Sequence, residues 1–118
     1  MLMKLTNPKN NPEQVLKRAI CQWLSYNQKH CMFWIQESVG IWDPVRRVYR
    51  KSNSPFQRKG KSDILGIWKQ RPLAIEVKIK PNKPTEEQES FLDDFKNQGG
   101  IAIVAYRLED VVSVLSVK

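Results

Sequence analysis

Residues 63–80 read DILGIWKQRPLAIEVKIK, and this stretch decides the fold. It contains two runs rich in aliphatic and β-branched residues, at 63–69 and 73–80, which is the composition of β-strands. The residues Gln-Arg-Pro at 70–72 separate the runs by the length of a hairpin turn, and proline is typical of turns. The sequence therefore predicts an antiparallel β-hairpin.

The second strand of this hairpin has two sides of different character. Successive side chains of a strand point to opposite faces of the sheet. One side is aliphatic and the other is mainly charged: the first carries Leu73, Ile75, Val77 and Ile79, and the second carries Ala74, Glu76, Lys78 and Lys80.

Two acids and a lysine come together if the turn centres on Gln70 and Arg71. That register places Asp63 directly opposite Lys78 and diagonal to Glu76, at Cβ separations of roughly 5 Å and 7–8 Å. Two carboxylates at this spacing can bind one Mg²⁺ ion, which takes one or two carboxylates and keeps several waters. Lys78 would then assist at a bound phosphate. The alternative is a solvated face that bears a Glu/Lys pair and an unrelated Asp.

The rest of the chain supplies helices and strands around the hairpin. Asn11 and Pro12 form a helix-start signal, and Thr85 and Gln88 have the spacing of a capping box. The predicted elements are a helix over 12–28, a strand over 31–39, a basic loop, the hairpin, a helix over 86–98, a strand over 101–106 and a helix over 109–115. This order predicts an α/β fold with a central mixed β-sheet flanked by helices, in which the last strand joins in parallel.

Length and composition indicate one globular domain over residues 1–118. Of these residues 41% are hydrophobic and 27% are charged, which suits a single modest core and excludes a collagen-like or disordered protein. No apolar run approaches the roughly 18 residues of a membrane-spanning helix, and the N-terminus lacks the apolar segment of a secretory signal. We therefore expect a cytoplasmic protein in which Cys21 and Cys31 are reduced thiols.

The positive charge is concentrated in the first half of the chain. The net charge is +8, and residues 1–62 hold twelve of the twenty basic residues but only three of the twelve acidic ones. Its densest part is a basic segment with seven positive residues and no acid: Arg46, Arg47, Arg50, Lys51, Arg58, Lys59 and Lys61. Such a segment can bind the phosphates of a nucleic acid, and Tyr49 and Phe56 could stack on unpaired bases. The alternative is a solvated loop.

Two further polar residues each have two possible roles. Glu13, in the first turn of the N-terminal helix, can add a carboxylate to the site or simply interact with the helix dipole. Gln88 can point toward the same carboxylates or serve only as the N3 residue of the capping box. His30, the one histidine, has no companion at metal-ligand spacing, so neither a zinc site nor a histidine-activated nucleophile is predicted.

Four short motifs, in this order and spacing, resemble a known nuclease family. They are Gly-Lys-Ser-Asp at 60–63, Ala-Ile-Glu-Val-Lys at 74–78, Thr-Glu-Glu-Gln at 85–88 and Gly-Ile-Ala-Ile-Val at 100–104. Together they are similar to the VRR-NUC (virus-type replication-repair nuclease) domain of the PD-(D/E)xK nuclease superfamily, and the similarity extends over roughly residues 13–115. The resemblance implies a restriction-endonuclease-like core.

The resemblance also implies roles for individual residues. A Mg²⁺ or Mn²⁺ ion would be held by Asp63, Glu76, the backbone carbonyl of Val77 and, from the first helix, Glu13. Lys78 would be the catalytic lysine of the E-x-K motif, and Gln88 matches the glutamine that follows this motif. Ser62 departs from the pattern, because the superfamily often has proline at that position.

The implied activity is metal-dependent hydrolysis of phosphodiester bonds. Small stand-alone members of the family resemble homodimeric, structure-specific DNA endonucleases, some of which resolve four-way (Holliday) junctions. We therefore expect an endonuclease that acts on branched DNA in repair or recombination, as a homodimer. Two alternatives stay open: a non-catalytic basic DNA-binding module, and a related nuclease that acts on RNA or other nucleic-acid structures.

Overall fold

The computed structural model describes residues 11–36, 41–50 and 54–116. The end of the predicted strand over 31–39 and the basic residue Lys51 lie outside the described residues. The helices are α1 (Pro12–Ser25), α2 (Glu86–Asn97) and α3 (Leu108–Leu115). The strands are β1 (Cys31–Ile35), β2 (Ile41–Asp43), β3 (Val48–Arg50), β4 (Ile64–Trp68), β5 (Arg71–Val77) and β6 (Ile101–Ala105).

Four of the strands form one mixed sheet in the order β1-β4-β5-β6. β4 is antiparallel to both of its neighbours, and β6 lies parallel to β5. The parallel strands are connected through α2, as a strand-helix-strand order requires. The prediction of an α/β fold with a central mixed sheet flanked by helices is confirmed.

Helices cover both faces of this sheet. α1 and α3 pack on one face, and α2 packs on the other through Phe91 and Leu92. The side of β5 toward α1 and α3 is the predicted aliphatic side, and it is fully buried: Leu73, Ile75 and Val77. The opposite side is buried as well, because α2 covers it, and this is the side that carries Ala74 and Glu76. The site described below is therefore built into the interior of a layered fold.

The β4–β5 hairpin turns one residue earlier than the sequence predicts. Trp68 pairs with Arg71, and the two residues between them, Lys69 and Gln70, have φ values of 47° and 71°. Two consecutive residues with positive φ are typical of a tight type I′ hairpin turn. The prediction that the turn centres on Gln70 and Arg71 is therefore wrong.

The resulting register brings the two acids opposite each other. Ile64 pairs with Ile75, so the next position outward places Asp63 opposite Glu76. The predicted pairing of Asp63 with Lys78 is wrong, because it assumed a turn one residue later. That error moves the partner by two residues, which preserves the side of the sheet on which each side chain lies.

Pro72 lies inside β5 and not in the turn. It pairs with Ile67, one position from the turn, where the paired residues of a two-residue hairpin do not hydrogen-bond to each other. Its missing N–H therefore costs no bond to β4. On the other edge of β5, the pairing with β6 begins only at Leu73. A proline is tolerated at this position because a backbone N–H here would have no neighbouring strand to donate to.

The first part of the basic segment is a second hairpin and not a loop. β2 and β3 pair in antiparallel fashion, with Trp42 opposite Tyr49. Arg46 and Arg47 lie in the turn between the two strands, and Arg50 is the last residue of β3. The prediction of a loop was wrong here because β-branched and aromatic residues in both strands favour cross-strand pairing despite the high charge.

The second part of the basic segment lies against α2. Arg58 Nη2 lies 2.7 Å from Asp94 Oδ2, and the guanidinium lies 5.2 Å from the ring centre of Phe91. Gly60 has a φ of 75°, and a Cβ atom at this position would clash with the backbone of Glu87. A glycine is required there, and the contact fixes the chain that leads into β4.

The helices begin where their capping signals predict. Asn11 accepts a hydrogen bond from the N–H of Glu13 at 2.8 Å, and Thr85 and Gln88 form both bonds of a capping box. The predicted helix ends lie within three residues of the observed ones. No helix among the described residues has the length and apolar character needed to cross a membrane.

Candidate active site

Two carboxylates meet at the open end of the β4–β5 hairpin. Asp63 directly precedes β4, and its Oδ2 accepts a hydrogen bond from the N–H of Val77 at 2.8 Å. Its backbone carbonyl accepts a second bond, from the N–H of Gln36 at 2.8 Å. These two bonds connect Asp63 to β5 and to the residue that follows β1. Glu76 lies opposite Asp63, on β5.

Glu76 is an acid in the interior of the protein, with 2% of its surface exposed. Its Oε2 accepts a hydrogen bond from Gln88 Nε2 at 3.0 Å and lies 3.7 Å from Lys78 Nζ. Its Oε1 is buried and has no hydrogen-bond donor among the described residues. A buried carboxylate oxygen without a donor is costly. This position therefore favours a proton or a cation.

The pKa of Glu76 is raised from its usual 4.5 to about 8. Burial is the largest cause, and the negative charge of Asp63 is the next, while the positive charge of Lys78 opposes both. The charge of Glu13 also raises this pKa and contributes least. Without a cation, Glu76 is therefore mainly protonated near neutral pH. A perturbed acid of this kind is typical of functional sites.

Lys78 lies where β5 leaves the sheet. Its backbone N–H donates to the carbonyl of Ala105 on β6 at 3.0 Å. Its side chain reaches back to Glu76 and remains 17% exposed. The structure thus brings Asp63, Glu76 and Lys78 together as predicted, although through a different register, with the lysine at the solvent side of the buried acid.

Gln88 fills both of the roles left open by the sequence. Its Oε1 accepts the N–H of Thr85 at 2.9 Å, and its backbone N–H donates to Thr85 Oγ1 at 3.1 Å, which completes the capping box. The other end of the same amide donates to Glu76. Because an amide has separate donor and acceptor atoms, one side chain can cap α2 and orient a carboxylate.

Lys17 is a member of the site that the sequence analysis did not identify. It lies on α1, and its Nζ is 3.8 Å from Asp63 Oδ1, with 14% of its side chain exposed. The available signal was the helical spacing, since Lys17 lies one turn after Glu13 and on the same face of the helix. That spacing does not indicate which face points toward the hairpin.

Glu13 does not join the two carboxylates in a larger cluster. Among the described residues, no three His, Cys, Asp or Glu side chains lie close enough together to hold a metal ion. Glu13 acts on Glu76 through its charge, and its backbone N–H is bonded to the N-cap residue Asn11. The structure therefore brings Lys17, and not Glu13, into contact with the carboxylates of the hairpin.

The residues of the site fit a hard divalent cation. Mg²⁺ and Mn²⁺ prefer oxygen ligands, and Mg²⁺ is commonly held by one or two carboxylates together with waters. Asp63 and Glu76 supply the carboxylates, and Oε1 of Glu76 lacks any other partner among the described residues. The backbone of Val77 borders the same place, because its N–H is bonded to Asp63. These donors are all oxygens, which suits Mg²⁺ or Mn²⁺ better than zinc, whose usual ligands are Cys and His.

The basic residues predicted to bind nucleic acid form two groups. Arg46 and Arg47 are exposed at the tip of the β2–β3 hairpin, and Arg50 Nη1 lies 3.8 Å from Asp43 Oδ2. The second group lies beside α2 and is partly engaged, since Arg58 is paired with Asp94.

The rest of the second group also has polar neighbours. Lys61 Nζ donates to Gln57 Oε1 at 3.3 Å. Arg58 and Lys59 border a shallow groove whose other side carries Glu86 and Glu87. Acidic residues reduce the attraction of this groove for phosphate. The tip of the β2–β3 hairpin therefore carries the less compensated positive charge of the two groups.

Comparison with known proteins does not assign a family. The chain matches no protein-family model, and no curated protein is significantly similar to it.

Proposed function

We propose that this protein is a metal-dependent endonuclease with a restriction-endonuclease-like core, which hydrolyses phosphodiester bonds of nucleic acid. The observation that carries the proposal is the state of Glu76: its carboxyl group is buried beside Asp63, one oxygen has no hydrogen-bond partner among the described residues, and Lys78 lies 3.7 Å from the other oxygen. Most buried polar side-chain atoms have a hydrogen-bond partner, so the unpaired oxygen favours a role as a cation ligand. The motifs that resemble the VRR-NUC domain support the same assignment.

Each polar residue of the site has a task in this reaction. Asp63 and Glu76 would hold Mg²⁺ or Mn²⁺, with the carbonyl of Val77 beside them, and Gln88 would orient the carboxylate of Glu76. The ion, when bound, supplies Lewis acidity and lowers the pKa of water. Lys78, at the solvent side of the buried acid, would donate to a phosphate oxygen and stabilise the charge that develops in the transition state.

We propose branched DNA, such as a four-way junction, as the substrate, and a homodimer as the active form. The net charge of +8 and the exposed arginines of the β2–β3 hairpin support a polyanionic partner. A four-way junction has two equivalent strands to cut, and the described residues carry one carboxylate pair per chain. A two-fold dimer would present two such sites in a symmetric arrangement. This activity would belong to DNA repair or recombination.

The test is a cleavage assay with Mn²⁺ on one labelled panel of substrates. The panel contains a four-way junction, a flap, a splayed arm, single-stranded and duplex DNA, and a matching RNA. The variants are Glu76→Gln, which keeps the shape of the side chain, and Glu89→Gln, which removes an exposed acid of α2 and serves as the control. We expect cleavage by the wild type and by Glu89→Gln and none by Glu76→Gln. Full activity of Glu76→Gln, or no cleavage by the wild type, would contradict the proposal.

A non-catalytic nucleic-acid-binding module is the second candidate. The exposed arginines at the tip of the β2–β3 hairpin favour binding whether or not the site is catalytic. Calorimetric titration with Mn²⁺ distinguishes the two: a nuclease should bind the ion through Asp63 and Glu76, and Glu76→Gln should weaken that binding. Nucleic-acid binding by a wild-type protein that does not bind Mn²⁺ would favour the module.

A further inference from the structure

The β2–β3 hairpin exposes two large aromatic side chains next to each other. The ring centres of Trp42 and Tyr49 are 5.0 Å apart, with an interplanar angle of 60°. Trp42 is 50% exposed and Tyr49 is 67% exposed. Neither ring belongs to the two core clusters of the described residues. Tryptophan is largely buried in most proteins, and a contiguous exposed aromatic surface marks a binding site.

The charge around these rings is positive and only partly compensated. Asp43 is the one acid between positions 41 and 62. Its Oδ1 accepts the N–H groups of Val45 and Arg46 at 3.0 and 3.2 Å, and its Oδ2 lies 3.8 Å from Arg50 Nη1. Asp43 therefore builds the turn and pairs with Arg50. The side chains of Arg46 and Arg47, at the tip, have no ion-pair partner in the part of the chain that the structure describes.

We propose that the β2–β3 hairpin binds single-stranded nucleic acid, with Trp42 and Tyr49 stacking on unpaired bases while Arg46 and Arg47 contact phosphates. Every base has a π-face that an aromatic ring can cover, so this recognition does not depend on sequence. The adjacent positive charges follow the backbone of the strand and make binding sensitive to salt.

Single strands fit this surface better than a duplex does. In a duplex the faces of the bases are stacked on one another, so the two rings would find only the sugar-phosphate backbone and the groove edges. The arginines bind phosphates of either form. A surface with arginines alone would not discriminate between the two forms, and the exposed aromatic pair is the feature that favours unpaired bases.

This inference deepens the proposed function, and its cleavage aspect rests on that function. In a branched substrate, the hairpin would bind the bases that are unpaired next to the branch point. Binding itself requires neither the metal ion nor Lys78. Failure of the nuclease assignment would therefore leave single-strand binding by the hairpin intact.

The experiment measures binding by fluorescence anisotropy with the full chain in EDTA. The probes are oligothymidylate and oligouridylate of about 16 nucleotides and a duplex of the same length. The double variant Trp42→Ala/Tyr49→Ala is compared with Trp34→Ala, which removes another exposed tryptophan from β1. We expect the double variant to lose about fivefold or more in affinity for the single strands, with little change for the duplex. Trp34→Ala should behave as the wild type.

Two more variants distinguish stacking from folding of the hairpin. Trp42→Phe/Tyr49→Phe keeps two aromatic faces and should retain most of the affinity for single strands. Arg46→Gln/Arg47→Gln should weaken binding to single strands and duplex alike and lower the salt slope by about 1.4 for single strands, since each phosphate contact contributes about 0.7.

Three results would overturn the inference. They are an unchanged single-strand affinity in the Ala variant, an equal loss on the duplex, and a loss in the Phe variant as large as that in the Ala variant. Absence of cleavage by the wild type together with selective loss of single-strand binding would contradict only the nuclease assignment. Cleavage by the wild type without that selective loss would contradict only the role of the hairpin.

Discussion

Gln88 donates a hydrogen bond from its Nε2 to Oε2 of Glu76 at 3.0 Å, across the interface between α2 and β5. The same side chain accepts the N–H of Thr85 and so caps α2. The start of the helix and the orientation of the buried acid therefore depend on one amide. A change at Gln88 should affect both stability and activity, whereas a change at the cap alone should affect only stability.

Gln88→Met should lower cleavage by about 10- to 100-fold, the effect typical of residues that orient a metal ligand. It also removes one of the two bonds of the capping box, the one from the N–H of Thr85, so Thr85→Ala, which removes the other bond, serves as the matched variant. Thr85→Ala should cost about 1 kcal/mol of the free energy of unfolding and keep most of the activity. Urea denaturation and the cleavage assay measure the two effects. Equal losses of activity in both variants would show that Gln88 acts through the helix cap alone.

The stability of the metal-free protein should fall as the pH rises from 4.5 to about 8. The pKa of Glu76 is raised to about 8 by burial and by the charge of Asp63. Between the unfolded and folded pKa values, the folded state binds more protons than the unfolded state, so deprotonation disfavours folding. The slope contributed by Glu76 is at most about 1.4 kcal/mol per pH unit. Urea denaturation in EDTA across this range measures it.

Glu76→Gln should remove most of that slope and raise the stability of the metal-free protein near pH 8. Mn²⁺ should stabilise the wild type at this pH, because a ligand that binds only the folded state raises its stability, and it should not stabilise the Gln variant. Glu89→Gln is the control for removal of an exposed acid. Parallel pH profiles of the wild type and Glu76→Gln would contradict the raised pKa.

Asp63→Asn and Asp63→Ala should differ in stability but not in activity. Asn keeps an oxygen that can accept the N–H of Val77, so the fold should be retained. Ala leaves that N–H without its side-chain acceptor, which should cost about 1–3 kcal/mol. Both variants lose the charge that a cation needs, so both should be inactive. Cleavage by Asp63→Asn at the wild-type rate would exclude Asp63 as a metal ligand.

Local signals were sufficient to predict most elements of the fold. Asn11 and the capping box of Thr85 and Gln88 mark helix starts through bonds within a few residues, and these bonds form in the structure. The turn at Lys69 and Gln70 was mispredicted because positive φ is usual for Asn and Gly and not for these residues.

Only one part of the site could be predicted from the sequence, namely the contact that follows from the alternation of side chains along a strand. Glu76 and Lys78 lie two residues apart at the end of β5, so the alternation of side chains predicts their proximity in any register of the hairpin. The contact between Lys17 and Asp63 joins two elements that are distant in sequence, and it depends on how α1 lies on the sheet. No short-range pattern in the sequence reports how α1 lies on the sheet. The sequence therefore indicates Glu13 as a candidate ligand but does not indicate Lys17.

Lys17→Gln should reduce cleavage by about 10- to 100-fold, because the lysine acts on Asp63 and does not have to touch the substrate. The variant should also change the affinity for Mn²⁺, since it removes a positive charge 3.8 Å from Asp63. Arg18→Gln removes an exposed charge from the next position of α1 and is the matched control. Unchanged Mn²⁺ affinity and activity in Lys17→Gln would make the ion pair purely structural.

Gly60→Ala should destabilise the protein more than an ordinary surface substitution does. The left-handed backbone at φ 75° costs a non-glycine residue about 1–2 kcal/mol, and the added Cβ would also clash with the backbone of Glu87. Gly99 also has a positive φ, of 82°, but a Cβ there meets no atom within 4 Å. Gly99→Ala therefore has the energetic cost of the left-handed backbone without a clash, and it is the matched control. Thermal unfolding should show a lower Tm for Gly60→Ala than for Gly99→Ala, and equal values would contradict the close contact of residues 54–62 with α2.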